Sequence, residues 1–325
     1  APKPVNPWRS IVMAALRRTK HGSIEFVEGD RVTEVGETGT QYRCRVTINS
    51  PKVWRQLLRG STGLAHSYSE GYWDCDEMLT LTQIAGFNVD RFDRLKSRFA
   101  FVIRPAQRLT RMRPDNKRSR AREQIAAHYD LGNDMFELFL DSSMNYSSAV
   151  YQESGQSLEE AQVNKMNRIC DRLQLGPDDH LLEIGTGWGG LAVHLAKRSG
   201  CRITTTTISA EQAALARQRI ESAGLSESIK VLEVDYRDLT GTYDMLVSIE
   251  MIEAVGWKYF PTYFAKCSEL LKPDGAMLLQ SITVVDEAYE IEKTSRNFTN
   301  SIIFPGGCLP SVEQIQPHDS LARVD

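Results

Sequence analysis

At 325 residues the chain is long enough to bury a sizeable core and to hold two domains. With 41% hydrophobic and 25% charged residues it has a globular composition, which excludes disordered and fibrous classes. The net charge of −3 gives no global argument for nucleic acid, no run of 18 apolar residues suggests a transmembrane helix, and the first residues, APKPVNPWRS, carry no apolar signal core. Six cysteines (Cys44, Cys75, Cys170, Cys201, Cys267 and Cys308) form no C-x-x-C pair and read as reduced thiols of a cytosolic protein.

Residues 1–103 read as a mixed α+β domain. Ile24–Val27 and Tyr42–Ile48 are β-rich and predict strands, with turn signals at Gly22, Gly29 and Gly36 to Gly39. Pro51–Leu58 predicts a helix with proline in its first turn, and Met78–Phe87 is apolar at helical spacing. Nothing in this stretch suggests catalysis. Residues 104–122 then hold eight basic side chains against one acid, Asp115, with Pro105 and Pro114 interrupting them. Such a segment is a solvated linker or a surface for anionic phospholipid. It lacks the interleaved aromatics of a nucleic-acid site.

Residues 123–325 read as a second domain in which strands and helices alternate. Leu158–Leu173 predicts a helix with Ser157 as N-cap and Glu160 completing a capping box. Strand His180–Ile184, helix Leu191–Ser199, strand Arg202–Ile208 and helix Ala210–Ala223 follow. Strands Lys230–Val234 and Asp244–Ile249, helix Lys258–Leu271 and strand Ala276–Ile282 complete the series. This rhythm predicts a doubly wound, Rossmann-like parallel sheet with its ligand at the carboxyl ends of the strands.

The run Glu183-Ile184-Gly185-Thr186-Gly187-Trp188-Gly189-Gly190 lies between the first of these strands and its helix. Glycine tolerates positive φ and lets backbone approach a ligand, and the N-terminus of the next helix can hold a carboxylate. Gly185, Gly187 and Gly190 also satisfy the dinucleotide fingerprint, which alone is weak. A dinucleotide site wants an acid at the end of the second strand, but that strand ends Thr204-Thr205-Thr206-Thr207-Ile208-Ser209. Glu183 before the glycines, and Leu271-Lys272-Pro273-Asp274-Gly275 before the last strand, instead suit a class I methyltransferase that uses S-adenosylmethionine.

Further segments occur in order: Ala127–Asp134, Met144–Ala149, Asp235–Asp238, Glu250–Gly256 and Ile303–Gly307. Together with the glycine loop they resemble the cyclopropane-fatty-acyl-phospholipid synthase family, which includes the mycolic acid cyclopropane synthases. The resemblance implies transfer of a C1 unit from S-adenosylmethionine to a cis double bond of an unsaturated phospholipid acyl chain. It also implies an enzyme at the cytoplasmic face of an anionic membrane. Nucleic acid is not an expected partner, and a homodimer is left open.

Residue by residue, the resemblance assigns Tyr146, Ser147, Glu183, Gly185, Gly187, Thr207, Gln212, Asp235, Tyr236 and Ile249 to the cofactor. It assigns Glu253, Ser148, Gln280 and His128 to catalysis. A bicarbonate ion, which family members hold near the cationic intermediate, is expected on Ser148, Glu253, Gln280 and Ile282. Three positions depart from many members: Ser148 stands for cysteine, and Ala254 and Gln280 stand for histidines. Glutamine can hydrogen-bond an anion but cannot protonate. The Met251–Gly256 variant also resembles relatives that give a 10-methylene product, so ring closure and methylation without a ring both stay open. Retention of the cofactor without turnover, and methylation of a small soluble substrate, are the remaining readings.

For His128 a capping or core role stands beside a contact to substrate or anion. The six histidines share no metal-ligand spacing. After Pro310 only 15 residues remain, too few for the antiparallel pair that normally ends a methyltransferase sheet, so missing residues are expected there.

Overall fold

The computed structural model describes residues 6–89, 91, 132–295 and 297–315. They belong to two compact units, Ala1–Met112 with Arg296–Ser301, and Arg113–Ser295 with Ile302–Asp325. The basic 104–122 segment and His128 lie outside the described residues.

The first unit contains α1 (Pro7–Leu16), β1 (Ser23–Glu28), β2 (Arg31–Gly36), β3 (Arg43–Ile48), α2 (Val53–Leu57), α3 (Ser61–Ser69), β4 (Trp73–Cys75) and α4 (Met78–Phe87). Its sheet has the order β2-β1-β3-β4, with β1 antiparallel to β2 and parallel to β3. Ile24, Phe26, Val46, Trp54, Trp73 and Ile84 form its core. The two strands expected here are β1 and β3. Strand β2, which follows the Gly29 turn, has no clear sequence signal because it buries only Val35 and its apolar pattern is thin.

In the second unit come α5 (Asn133–Glu137), α6 (Leu158–Leu173), β5 (His180–Ile184), α7 (Gly190–Ser199), β6 (Arg202–Thr206), α8 (Ala210–Ser222), β7 (Ile229–Leu232), β8 (Tyr243–Ile249), α9 (Phe260–Leu270) and β9 (Leu271–Gln280). The strands pair in parallel in the order β7-β6-β5-β8-β9. The chain runs outward from β5 through β6 and β7, then returns to β5's other side at β8. That reversal opens a crevice at the carboxyl ends of β5 and β8. Alternating side chains feed two cores, as a strand's period of two requires. Leu182 and Leu246 pack with Phe260, Tyr263 and Phe264 of α9 on one face. Leu181 and Val247 pack with Met166 and Ile169 of α6 and Leu191 and Leu195 of α7 on the other. This is the doubly wound sheet that the alternation predicts.

The expected last strand, Ala276–Ile282, starts earlier and ends at Gln280. Tyr243 pairs with Leu271 and Met245 with Ala276, so residues 272–275 form an irregularity where the sequence suggested a turn. Helix α6 keeps both predicted ends. Its Ser157 and Glu160 form the reciprocal capping box, the serine hydroxyl accepting from Glu160 N at 3.2 Å and the Glu160 carboxylate from Ser157 N at 2.8 Å. Replacing Ser157 by Ala is expected to cost about 1 kcal/mol, read as a lowered Tm with unchanged cofactor affinity.

Candidate active site

The loop after β5 carries the first half of the site. Gly185 and Gly187 have φ of +106° and +50°, in the region that glycine enters without strain. Gly185 N and Thr186 N both donate to Thr206 O at 3.0 Å, which ties the loop to the end of β6. Trp188 is buried and donates from Nε1 to Asn133 Oδ1 of α5 at 2.7 Å. Glu183 is 2% exposed, and its Oε2 has no hydrogen-bond partner. Burial pushes its carboxyl up to about 8, against a lowering contribution from a Thr205 hydrogen bond.

Gly190, the first residue of α7, allows a close approach. A Cβ there would lie 2.2 Å from the Ser143 carbonyl oxygen, which Arg219 Nη1 also engages at 2.9 Å. Gly190→Ala must therefore push back the segment that leads to Tyr146, Ser147 and Ser148. Overpacking of this kind costs about 1–3 kcal/mol. The expected result is a lower Tm together with weaker cofactor binding by calorimetry, where a purely structural glycine would change only the first.

The remaining cofactor candidates cluster at the strand ends. Thr207 and Gln212 are buried and joined, Thr207 Oγ1 donating to Gln212 Oε1 at 2.9 Å. Asp235 is engaged by Arg237: its Oδ1 accepts from Arg237 N and Nε at 3.0 and 2.8 Å, and its Oδ2 from Nη2 at 2.6 Å. Its carboxylate thus already holds a neighbouring guanidinium. Tyr236 lies edge-on to Tyr263, with the Arg237 guanidinium over its ring. Ile249 ends β8 opposite Gln280.

The second half of the site joins three segments: residues 146–148, the end of β8 and the end of β9. Glu253 Oε1 accepts from Ile282 N at 2.6 Å and Ser281 Oγ at 2.9 Å. Its Oε2 is buried without a partner. Burial raises its pKa first, and the nearby charge of Glu250 adds to that. Cys308 N donates to Glu253 O at 2.8 Å, so the chain just after the Ile303–Gly307 segment is anchored against the same residue.

Ser148 N donates to Glu250 Oε1 at 2.8 Å, and Gln280 Nε2 donates both to that oxygen at 2.9 Å and to Ser148 O at 3.1 Å. The donors expected to hold bicarbonate (Ser148 N, the Gln280 amide and Ile282 N) are therefore taken by the chain's own carboxylates. The residues present do not fit a further anion.

Helix α6 supports the 145–148 segment from behind. Gln162 Nε2 donates to Asn145 O and Ser147 O at 3.2 and 2.9 Å. Lys165 Nζ donates to Ser147 Oγ at 2.6 Å. Lys165 is 2% exposed, and burial lowers its ammonium to about 8 against the raising charges of Glu250 and Asp141. Tyr146 packs edge-on to Phe136 and parallel to Phe304, at ring separations of 5.2 and 6.5 Å. Among the described residues no group of His, Cys, Asp and Glu side chains could hold a metal ion.

The structure thus brings together Tyr146, Ser147, Ser148, Glu253, Gln280 and Ile282. Sequence reading missed the roles of Glu250, Ser281 and Lys165. Lys165 had a legible signal: it occupies the i+4 stripe Ala161-Lys165-Ile169-Leu173 on the buried face of α6.

The family model described as mycolic acid cyclopropane synthetase matches residues 116–324. The chain belongs to that family. The tuberculostearic acid methyltransferase UfaA1 of Mycobacterium tuberculosis is 39% identical over 82% of this chain and 64% of its own length. The cyclopropane-fatty-acyl-phospholipid synthase of Escherichia coli K12 is 38% identical over 84% of this chain and 70% of its own. The chain thus spans about two thirds of these curated relatives. Among solved structures, the mycolic acid cyclopropane synthase CmaA1 complexed with SAH and CTAB superposes with a TM-score of 0.56 at 30% identity, covering 61% of this chain and 73% of that one. Coclaurine N-methyltransferase, at 21% identity and a TM-score of 0.53, shares the fold. The class I methyltransferase architecture read from the strand–helix alternation is therefore the architecture of the family.

Proposed function

We propose that this chain transfers a C1 unit from S-adenosylmethionine to the cis double bond of an unsaturated phospholipid acyl chain, giving a cyclopropane. The observation that carries the reading is Glu253. A carboxylate oxygen without a partner, buried at the mouth of a methyltransferase sheet, is a poor structural device and a good counter-charge for a carbocation. Two relatives named for fatty-acyl chemistry, each more than 35% identical over four fifths of the chain, support the substrate class.

S-adenosylmethionine supplies an electrophilic methyl group. Gly185, Gly187 and the start of α7 suit its amino-acid end, with Glu183 beneath. Thr207, Gln212, Tyr236 and Ile249 are the residues we assign to its remainder, and Tyr146 and Ser147 to its cover. The Tyr146, Phe136 and Phe304 rings keep water from a cationic carbon. The basic 104–122 segment suits an anionic bilayer surface, at about 1 kcal/mol per basic residue, and so supports a peripheral enzyme of the cytoplasmic leaflet. Among the described residues no helix is long and apolar enough to cross a membrane.

A second reading, methylation to a 10-methylene product without a ring, is favoured by the identity to UfaA1 and by Gln280 in place of a histidine. The test is incubation with S-adenosylmethionine and oleoyl phospholipid vesicles, with products read by mass spectrometry and proton NMR. A gain of one CH2 with cyclopropane protons is the expected result, and vinylidene protons identify the second reading. Absence of any lipid product overturns both.

A further inference from the structure

Glu250 follows the last residue of β8 with φ of +47°, a backbone conformation that residues with a Cβ rarely adopt. Such a conformation persists where surrounding contacts over-determine it, and it concentrates at functional sites. Here Glu250 N donates to Gln280 O at 2.8 Å, which extends the β8–β9 pairing by one residue and fixes the turn. The side chain then aims one carboxylate oxygen at Ser148 N and Gln280 Nε2, 2.8 and 2.9 Å away. Three segments far apart in sequence meet on that oxygen. The neighbouring charges are Glu253, whose carboxyl its field raises, and the buried ammonium of Lys165, whose lowering by burial it opposes. Tyr146, which covers the same place, also has its hydroxyl raised by burial and by this charge.

We propose that Glu250 is the resident anion of the active site, occupying with its own carboxylate the place and the donors that an exogenous oxyanion would need, and that it accepts the proton released after methyl transfer. The proposal rests on the methyl-transfer reaction above. In that step the π pair of the double bond forms the new carbon–carbon bond to the methyl group. The carbon–sulfur bond breaks with its pair remaining on sulfur, and the adjacent carbon becomes cationic. A methyl C–H bond then gives its proton to Glu250, its electron pair closing the ring on the cationic carbon; where a 1,2-hydride shift has first moved the cation to the methyl-bearing carbon, the same pair forms the exocyclic double bond. The proton passes from the carboxyl to solvent, so turnover consumes no ion.

Two variants and two readouts test this. Glu250→Gly suits the positive φ and vacates the oxygen's place, whereas Glu250→Gln keeps an acceptor and loses the charge. Binding of 13C-labelled bicarbonate is read by line broadening, without turnover. The wild-type chain is expected to leave that line sharp and to turn over equally in CO2-purged and bicarbonate-containing buffer. E250G, folded by thermal melt, is expected to broaden the line, to lose turnover on the order of 10²-fold in purged buffer, and to regain much of it with bicarbonate or formate. E250Q is expected to lose turnover to a similar degree.

The proposal is overturned if wild-type turnover requires bicarbonate, or if folded E250G is fully active without it. It is also overturned if folded E250G neither takes up the ion nor recovers with it, or if E250Q keeps wild-type turnover. Binding of radiolabelled S-adenosylmethionine by equilibrium dialysis tests the parent reading separately. A chain that takes no cofactor fails there, while the bicarbonate spectrum still decides the place of Glu250.

Discussion

Glu253→Gln is expected to lower kcat by about 10²–10³-fold, with KM for lipid nearly unchanged and the fold intact. Glutamine keeps an acceptor for Ile282 N and Ser281 Oγ, which hold Oε1 at 2.6 and 2.9 Å in the native chain. The change falls on Oε2, which has no partner to lose. There an amide replaces a charge, and the loss is felt only when positive charge develops on the substrate. Interactions made only in the transition state act on kcat, whereas uniform binding acts on KM.

The pH profile gives an independent check. Burial and Glu250 raise the Glu253 pKa, so the charged form builds up later on the alkaline side than for an ordinary glutamate. The rate is expected to rise with pH through that elevated value in the wild type, and the variant is expected to lose this acidic limb. Its folding linkage has the same origin: a raised native pKa adds stability below the ordinary carboxylate value, and that stability is lost as pH rises through the native one. An E253Q chain with wild-type kcat in the vesicle assay removes Glu253 from the chemistry.

Much of this site is legible from local rules because strand ends are legible. The glycine loop, the acid before it and the lack of an acid after Thr204–Ser209 are all short-range features, and the crevice follows from the strand order. Helix α6 was readable at both ends because its capping box and its left-handed end at Gln174 are local devices. What escaped depends on backbone state or on a partner distant in sequence. Glu250 stands in a segment the eye takes as one motif, three residues before Glu253. Its positive φ has no signature in a residue that carries a Cβ. Its bond to Ser148 spans 102 residues, so only the fold reveals it. Ser281 has the same difficulty, since nothing near it in sequence names Glu253 as its acceptor. Asp235 suits a ligand as a residue type, and its pairing with Arg237 two positions on is visible only in the structure.

Glu183 carries the second large effect, and its sign differs from that of an ordinary surface acid. The residue is 2% exposed, its strand β5 lies between β6 and β8 in the centre of the sheet, and its carboxyl is pushed up to about 8 by burial. Between about pH 4.5 and 8 the native state therefore holds a proton that the unfolded chain, with an ordinary glutamate value, has already released. Stability from this group is complete below the unfolded value and is lost as pH rises through about 8. Between those limits the loss is on the order of 5 kcal/mol, a large share of the stability of most domains. The wild-type Tm is thus expected to fall from pH 6 to pH 9, whereas Glu183→Gln, neutral throughout, removes this slope. Cofactor binding should run the other way. A cationic ligand seated above Glu183 favours the carboxylate, so binding is expected to expel a proton and to strengthen with pH through the same range. Calorimetry in buffers of different ionisation enthalpy measures that proton directly. The glutamine variant should bind more weakly and release none. Retention of both the pH slope and the proton release in E183Q would assign them to another group and leave Glu183 as a buried acid with no part in holding the cofactor.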